Sequence, residues 1–338
     1  ALDSPPVEIR DKGVPLADPL NFLVNAPDGA FGGKTNVRRV EPRNTPTNIN
    51  AVFNFHNFWD GRANHFFNGI NPFGRTDREA RIFNRGKKGA VATRKINMAN
   101  ASLASQAVGP PLSPMEMSFV DRIWPDVGKK MVGRYLLESQ IVHPDDSLLG
   151  ELLSAAGASP VSGKGINVKY EELIKDAFSE GLWDSDATIT LDSASLTMLN
   201  VNSPLLQLGD PQLENTNASS YTLMEANFSF FFGVAVMLYQ AELLADDTRF
   251  DRFMAGDDGA LTAEELVGLG VYVGFPGFND GRCVNCHGGP ELTNASVRNA
   301  QGGNNIIEPM LMGNAAPAFY DNGFYNVSVS PTAEDRGR

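Results

Sequence analysis

Cysteine is nearly absent from this 338-residue chain: it stands at positions 283 and 286 and nowhere else. Whatever the thiols do is therefore done by one local pair. Histidine is scarce too, with four residues in all, and the three others, His56, His65 and His143, lie far away in sequence. A structural zinc site would want a second pair of ligands beside the cysteines, and the sequence offers none nearby. Long apolar runs are missing: the most apolar stretch, Phe228 to Tyr239, is shorter than the roughly 20 residues that a membrane-spanning helix needs. Positive charge is in deficit, with 28 Lys+Arg against 40 Asp+Glu and a formal charge of −12. That balance disfavours nucleic acid and anionic membrane as partners, and suits a basic protein or a neutral small molecule. No internal repeat or low-complexity tract is seen. The length allows a sizeable core, in two domains or in one with large insertions.

What is present is the spacing around the cysteines, Cys283-Val-Asn-Cys286-His287 inside GFNDGRCVNCHGGP. A redox disulfide would sit in a thioredoxin-like strand–turn–helix pattern, which the flanks lack. Covalent haem attachment uses all three side chains in this order: two thiols add to the haem vinyl groups, and the adjacent histidine lies under the iron as axial ligand. Glycines around the motif let the backbone wrap closely on a flat ring. The chain is read as a haem c protein anchored at Cys283, Cys286 and His287.

Upstream, Thr222 to Ala245 is apolar on every side and predicts a buried helix, with Phe230, Phe231 and Phe232 as core residues. Thr262-Ala-Glu-Glu265 is a capping box that opens a second helix running into the cysteine motif. A further helical piece is expected around YEELIKDAF.

Two other stretches carry a family resemblance. Arg43-Asn44-Thr-Pro46-Thr, Asn50-Ala-Val-Phe-Asn54 and Phe58-Trp59-Asp60-Gly61-Arg62-Ala63 form one block. Gln106-Ala107, Gly109-Pro110 and Ser113-Pro114-Met115-Glu116-Met117 form another. With Phe250-Asp251-Arg252-Phe253 before the cysteines and Glu334-Asp335-Arg-Gly337-Arg338 after them, the chain resembles the bacterial di-haem cytochrome c peroxidases. Their superfamily includes the di-haem enzyme that matures the quinone of methylamine dehydrogenase.

The resemblance implies a mostly α fold of tandem cytochrome c-like haem domains with long loops and insertions. The division expected is 1–125 for a partial reactive-haem domain with an insertion at about 64–100, 126–220 for a second insertion, and 221–338 for the domain with covalent haem. The family carries two haem anchors and extends past the Asp-x-Gly-Arg element. A middle piece of a larger protein is therefore expected, whose remaining segments supply the second haem; a single-haem relative is the alternative.

The resemblance also implies roles. Glu116 would be the acid–base group at the reactive haem, with Gln106 and Pro110 lining its pocket. Trp59 would relay electrons from the His287 haem, and Asn44 would bind calcium between the domains. Met310 or Met312 is an in-chain candidate for the sixth iron ligand, although the family places it further on. The implied activity is reduction of hydrogen peroxide, or oxidation with it, through high-valent iron. Electrons would come from a small redox protein such as a cytochrome c or a cupredoxin, in the periplasm or another exported setting; a homodimer is left open. The peroxidases' blocking histidine has no counterpart in GGKTNVRRVEP, which implies a reactive iron open at rest; a protein- or polymer-modifying oxidase of the same superfamily, to which the large insertions would be relevant, is an alternative. A non-enzymatic single-haem carrier is the reading from another class.

Overall fold

Asn227 shows why the chain folds around one corner of its long apolar stretch. Its side chain is fully buried, and every polar atom on it is used. Its Oδ1 accepts from the Phe83 amide at 2.9 Å, and its Nδ2 donates to the carbonyls of Phe83 and Leu182 at 2.7 and 2.8 Å. A buried amide so satisfied ties distant segments together, because breaking any one bond would strand a polar group away from water.

The computed structural model describes residues 22–25, 34–38, 45–86, 90–113, 117, 122–190, 220–302, 307–311 and 315–321. It is helix-dominated. The strands described pair as antiparallel two-stranded ribbons: β1 (Phe22–Asn25) with β2 (Lys34–Arg38), β3 (Ile82–Arg85) with β4 (Val91–Arg94), β5 (Tyr135–Leu136) with β6 (Ile166–Lys169), and β7 (Ile307–Leu311) with β8 (Pro317–Asp321). The helices are α1 (Ser102–Ala107), α2 (Trp124–Met131), α3 (Leu149–Ala156), α4 (Tyr170–Ala177), α5 (Leu223–Ala226), α6 (Phe228–Ala241), α7 (Arg249–Met254), α8 (Ala263–Val273) and α9 (Val297–Gln301).

Local chemistry sets their ends. Thr222, Thr248 and Thr262 each accept from the amide three residues on, while the acidic side chain there bonds back to the cap amide. These are reciprocal caps. Gly274 ends α8 in the left-handed conformation, with φ of 78°, which glycine adopts without steric cost.

The expected single helix over 222–245 is broken at Asn227, whose side chain serves Phe83 and Leu182 as just described. Its first half is buried, through Phe228, Phe230, Phe231 and Val234; further on, Leu238 and Tyr239 are 58% and 57% exposed. The all-round apolar pattern thus reports burial only as far as the body of the protein extends.

The buried cluster draws on residues either side of positions 125 and 220, including Phe67, Ile82, Trp124, Ile174 and Phe231. The stretch 64–100, set apart as an insertion, contributes Phe67, Ile70, Ile82 and Phe83 to it. Its fold there rests on asparagine turns. Asn68 Oδ1 accepts from the amides of Ile70 and Asn71, and Asn71 Nδ2 reaches Asp77 at 2.7 Å.

Two glycines permit close approach. A β-carbon at Gly128 in α2 would stand 2.4 Å from the Glu225 carbonyl oxygen and 2.8 Å from Phe228 Cβ. At Gly233 in α6 it would stand 2.7 Å from Phe67 Cζ. Gly128→Ala is expected to destabilise the fold by about 1–3 kcal/mol, the usual range for overpacking. Chemical denaturation would show this as a lower midpoint with unchanged slope; an unshifted midpoint would mean that α2 is free to move away from α5.

Candidate haem site

From Gly274 onward the chain folds back on Cys283–His287 by successive turns. The Phe278 ring lies on Gly270, and the Gly281 amide donates to the Val271 carbonyl at 3.0 Å. Arg282 is left-handed, with φ of 50°, and its side chain pairs with Asp280 at 2.5 Å. A single 3-10 turn, Cys283–Asn285, follows. The amides of Cys286 and His287 both donate to the Cys283 carbonyl, at 3.2 and 2.9 Å. Asn294 closes the loop from the other side: its amide donates to the Cys286 carbonyl at 3.0 Å and its Nδ2 to the Asn285 carbonyl at 2.6 Å. The Tyr272 hydroxyl donates to the His287 carbonyl, which fastens the turn to α8.

Three observations fit covalent haem. Both thiols are free and exposed on one turn. His287 Nδ1 lies 3.3 Å from the Leu292 carbonyl. A carbonyl only accepts, so Nδ1 carries the proton in this bond and the lone pair is left on Nε2, as an axial ligand requires. Third, among the described residues no apolar side chain beyond Val234 is buried, and Leu266, Val267, Phe275, Phe278 and Leu292 are 38–54% exposed. A segment of short helices with apolar side chains and no core of its own suits a large flat apolar group. Among the described residues no group of three or more His, Cys, Asp or Glu side chains converges.

The other expected residues fall as follows. Gln106 is buried in the last turn of α1. Pro110 starts the next 3-10 turn, joined to α1 by the Gly109 amide donating to the Gln106 carbonyl at 3.2 Å. Trp59 is 57% exposed, so it is not a core tryptophan. Phe58 before it is left-handed, with φ of 62°; Arg62 stacks on its ring at 4.1 Å and pairs with Asp60 at 2.9 Å. The segment leading to Trp59 touches the anchor loop directly: Asn54 forms an antiparallel bridge with Ser296, and the Phe55 amide donates to the Ala295 carbonyl at 2.7 Å. Glu116, Asn44 and Met312 lie outside the described residues, and Met310 is described only as a backbone position in β7.

Nothing in the sequence indicates that two of its histidines meet. His56 Nε2 lies 3.2 Å from His65 Nδ1, and Phe55 stacks on both rings. Burial first, then His56 and Arg75, lower the His65 pKa from 6.5 to about 4. Folding therefore favours neutral His65. This contribution is complete above about pH 6.5 and is lost as pH falls toward about 4, because the unfolded chain takes up the proton first. His65→Phe, which keeps the stacking, is expected to lose less stability than the wild type between pH 7 and 4. Urea titrations at several pH values check this; parallel curves for the two proteins would exclude a depressed His65.

Comparison with known proteins bears on what this geometry serves. A family model described as di-haem cytochrome c peroxidase matches residues 24–140. The cytochrome c peroxidase Ccp of Escherichia coli (strain K12) is 22% identical over 264 residues, a match that covers 77% of this chain and 30% of that protein. The chain thus spans less than a third of the length of this curated relative. No solved structure matches. The family match covers the Trp59 and Gln106 blocks and ends well before the cysteines, so the Cys283–His287 motif is an observation separate from it. Together the two matches support the di-haem cytochrome c peroxidase superfamily.

Proposed function

We propose that this chain belongs to a haem-dependent oxidoreductase that reduces hydrogen peroxide, or oxidises with it, and that the Cys283–His287 segment carries its electron-relay haem. The observation that carries this reading is the coreless segment around a turn presenting two free thiols and a histidine with Nε2 left for a metal. Cys283 and Cys286 would hold the haem by thioether bonds and His287 would ligate its iron. Bound iron would supply one-electron chemistry. Trp59, exposed beside the segment that touches the anchor loop, is the proposed bridge toward the pocket of Gln106 and Pro110. Glu116 would move the proton between the two peroxide oxygens there, Asn44 would bind calcium, and Met310 or Met312 is the in-chain choice for the sixth ligand.

The donor is proposed to be a small redox protein, in an exported setting such as the periplasm. Among the described residues no helix is long and apolar enough to cross a membrane. The tandem cytochrome c-like domains, with limits at about 125 and 220, and the second haem on the remaining segments belong to the same proposal.

Removing the haem tests the anchor. The double variant Cys283→Ser, Cys286→Ser is expected to lose covalent haem on a denaturing gel, and limited proteolysis should then cut within 246–302 while 122–190 stays intact. Retained covalent haem, or no change in cutting, would exclude haem as the core of this segment.

A second experiment separates enzyme from electron carrier. General acid–base groups typically contribute about 100- to 10,000-fold. Glu116→Gln in native protein with both haems is therefore expected to slow the reaction with peroxide by about 100-fold or more, leaving the midpoint potential of the His287 haem unchanged. Stopped-flow mixing with peroxide reads the rate, and equal rates would remove Glu116 from the mechanism.

A further inference from the structure

The anchor segment buries no apolar side chain among its described residues, so something else must fix its position on the body. On its own side, Asn294 grips Cys286 and Asn285, and its carbonyl accepts from Asn299 Nδ2 at 2.8 Å. The next two residues, Ala295 and Ser296, pair with Phe55 and Asn54. Asn54 and Phe55 are held from behind by two buried polar side chains, Asn57 and Ser102, each 4% exposed. Ser102 Oγ donates to the Asn54 carbonyl at 2.9 Å and accepts from Asn57 Nδ2 at 2.8 Å. Asn57 Oδ1 in turn accepts from Asn54 Nδ2 at 3.3 Å. Ser102 opens α1, the helix that ends with Gln106 and Ala107. A second latch lies alongside, where Gln301 Nε2 donates to Asn100 Oδ1 at 2.6 Å.

We propose that Asn57 and Ser102 are positioning residues that hold the haem-anchor loop against α1 and so set the spacing across which electrons pass from the His287 haem to the Gln106 pocket. The proposal rests on the di-haem reading above. Its physical basis is the cost of an unmet buried hydrogen bond. Removing either partner strands the other away from water, and the cheapest relief is for Asn54–Phe55 to move, carrying Ala295 and Ser296 with it. Electron transfer across protein falls off exponentially with distance, so a displaced anchor loop slows it.

The test uses the native protein with both haems. Asn57→Ala and Ser102→Ala are compared with Ser102→Thr, which keeps the hydroxyl. Ser102→Ala removes a single oxygen and keeps the test alive if Asn57→Ala does not fold. Hydrogen exchange at the Phe55 amide reads the seam; flash photoreduction of the His287 haem reads electron transfer without peroxide. The two alanine variants are expected to exchange Phe55 about tenfold faster or more, as loss of one buried bond implies. Electron transfer should slow severalfold while the midpoint potential of the His287 haem stays put, and Ser102→Thr should restore both rates. Unchanged Phe55 exchange would overturn the proposal, as would faster exchange with unchanged electron transfer, the mark of a plain packing role. Wild-type protein that passes electrons but leaves peroxide unreduced would sink the peroxidase reading and leave this one standing.

Discussion

A segment without a core cannot choose its own shape, and this deficit marks the segment around the cysteines. Between Asp246 and Gly302 the helices are short and well capped, and their ion pairs, Arg249–Glu265 and Arg252–Asp247, are exposed. Exposed pairs contribute about 0–1 kcal/mol each. Five apolar side chains meanwhile remain about half in water. Full burial of such a side chain is worth about 1.5–3 kcal/mol, so covering the exposed halves of all five would add on the order of 5 kcal/mol. That is comparable to the stability of a whole small domain, about 5–15 kcal/mol. Haem held at Cys283–His287, as proposed, would be a folding element as much as a redox site.

The body solves the opposite problem. Its apolar residues are plentiful, and what has to be arranged is their alignment. Asn227 breaks the long apolar helix where β3 and the Leu182 turn must meet it, and Gly128 and Gly233 remove the β-carbons that would keep helices apart. The asparagine turns at Asn68 and Asn71 let an irregular stretch enter the core without leaving buried amides unpaired.

How much of this could be read beforehand depended on the range of the interaction. The Thr262–Glu265 cap and the haem motif are local patterns, complete within four or five residues, and both stood in the sequence. The break at Asn227 did not, because the pattern around it is uniformly apolar and its partners lie 144 and 45 residues away. The burial of Phe67, Ile82 and Phe83 was hidden by the charged residues between them, Arg75, Asp77, Arg78, Glu79 and Arg81. Asn57, Ser102 and the His56–His65 pair carry no signal of their own: each is an ordinary polar residue whose meaning lies in a partner brought by the fold. The site residues suggested by resemblance were a different kind of knowledge, and the structure speaks to them only where it describes them.

The anchor segment joins the body through polar contacts, and the proposed redox function would give a reason for that choice. An apolar interface tolerates sliding, since one methyl contact replaces another at little cost, whereas a hydrogen bond fixes distance and direction. Phe55 to Ala295 and Asn54 to Ser296 leave one register for the anchor loop. A few residues further on, Phe58 is held left-handed at a cost of roughly 1–2 kcal/mol, the usual penalty for such a residue. The Gly61 amide on the Phe58 carbonyl and the Arg62 guanidinium over the Phe58 ring hold that conformation in place. A strained turn persists only where its surroundings over-determine it. Here it sets the backbone direction of Trp59, an exposed aromatic a few residues past the seam. Fixed register on one side and a fixed turn on the other give Trp59 a defined position relative to the anchor loop, as the proposed route for electrons would require.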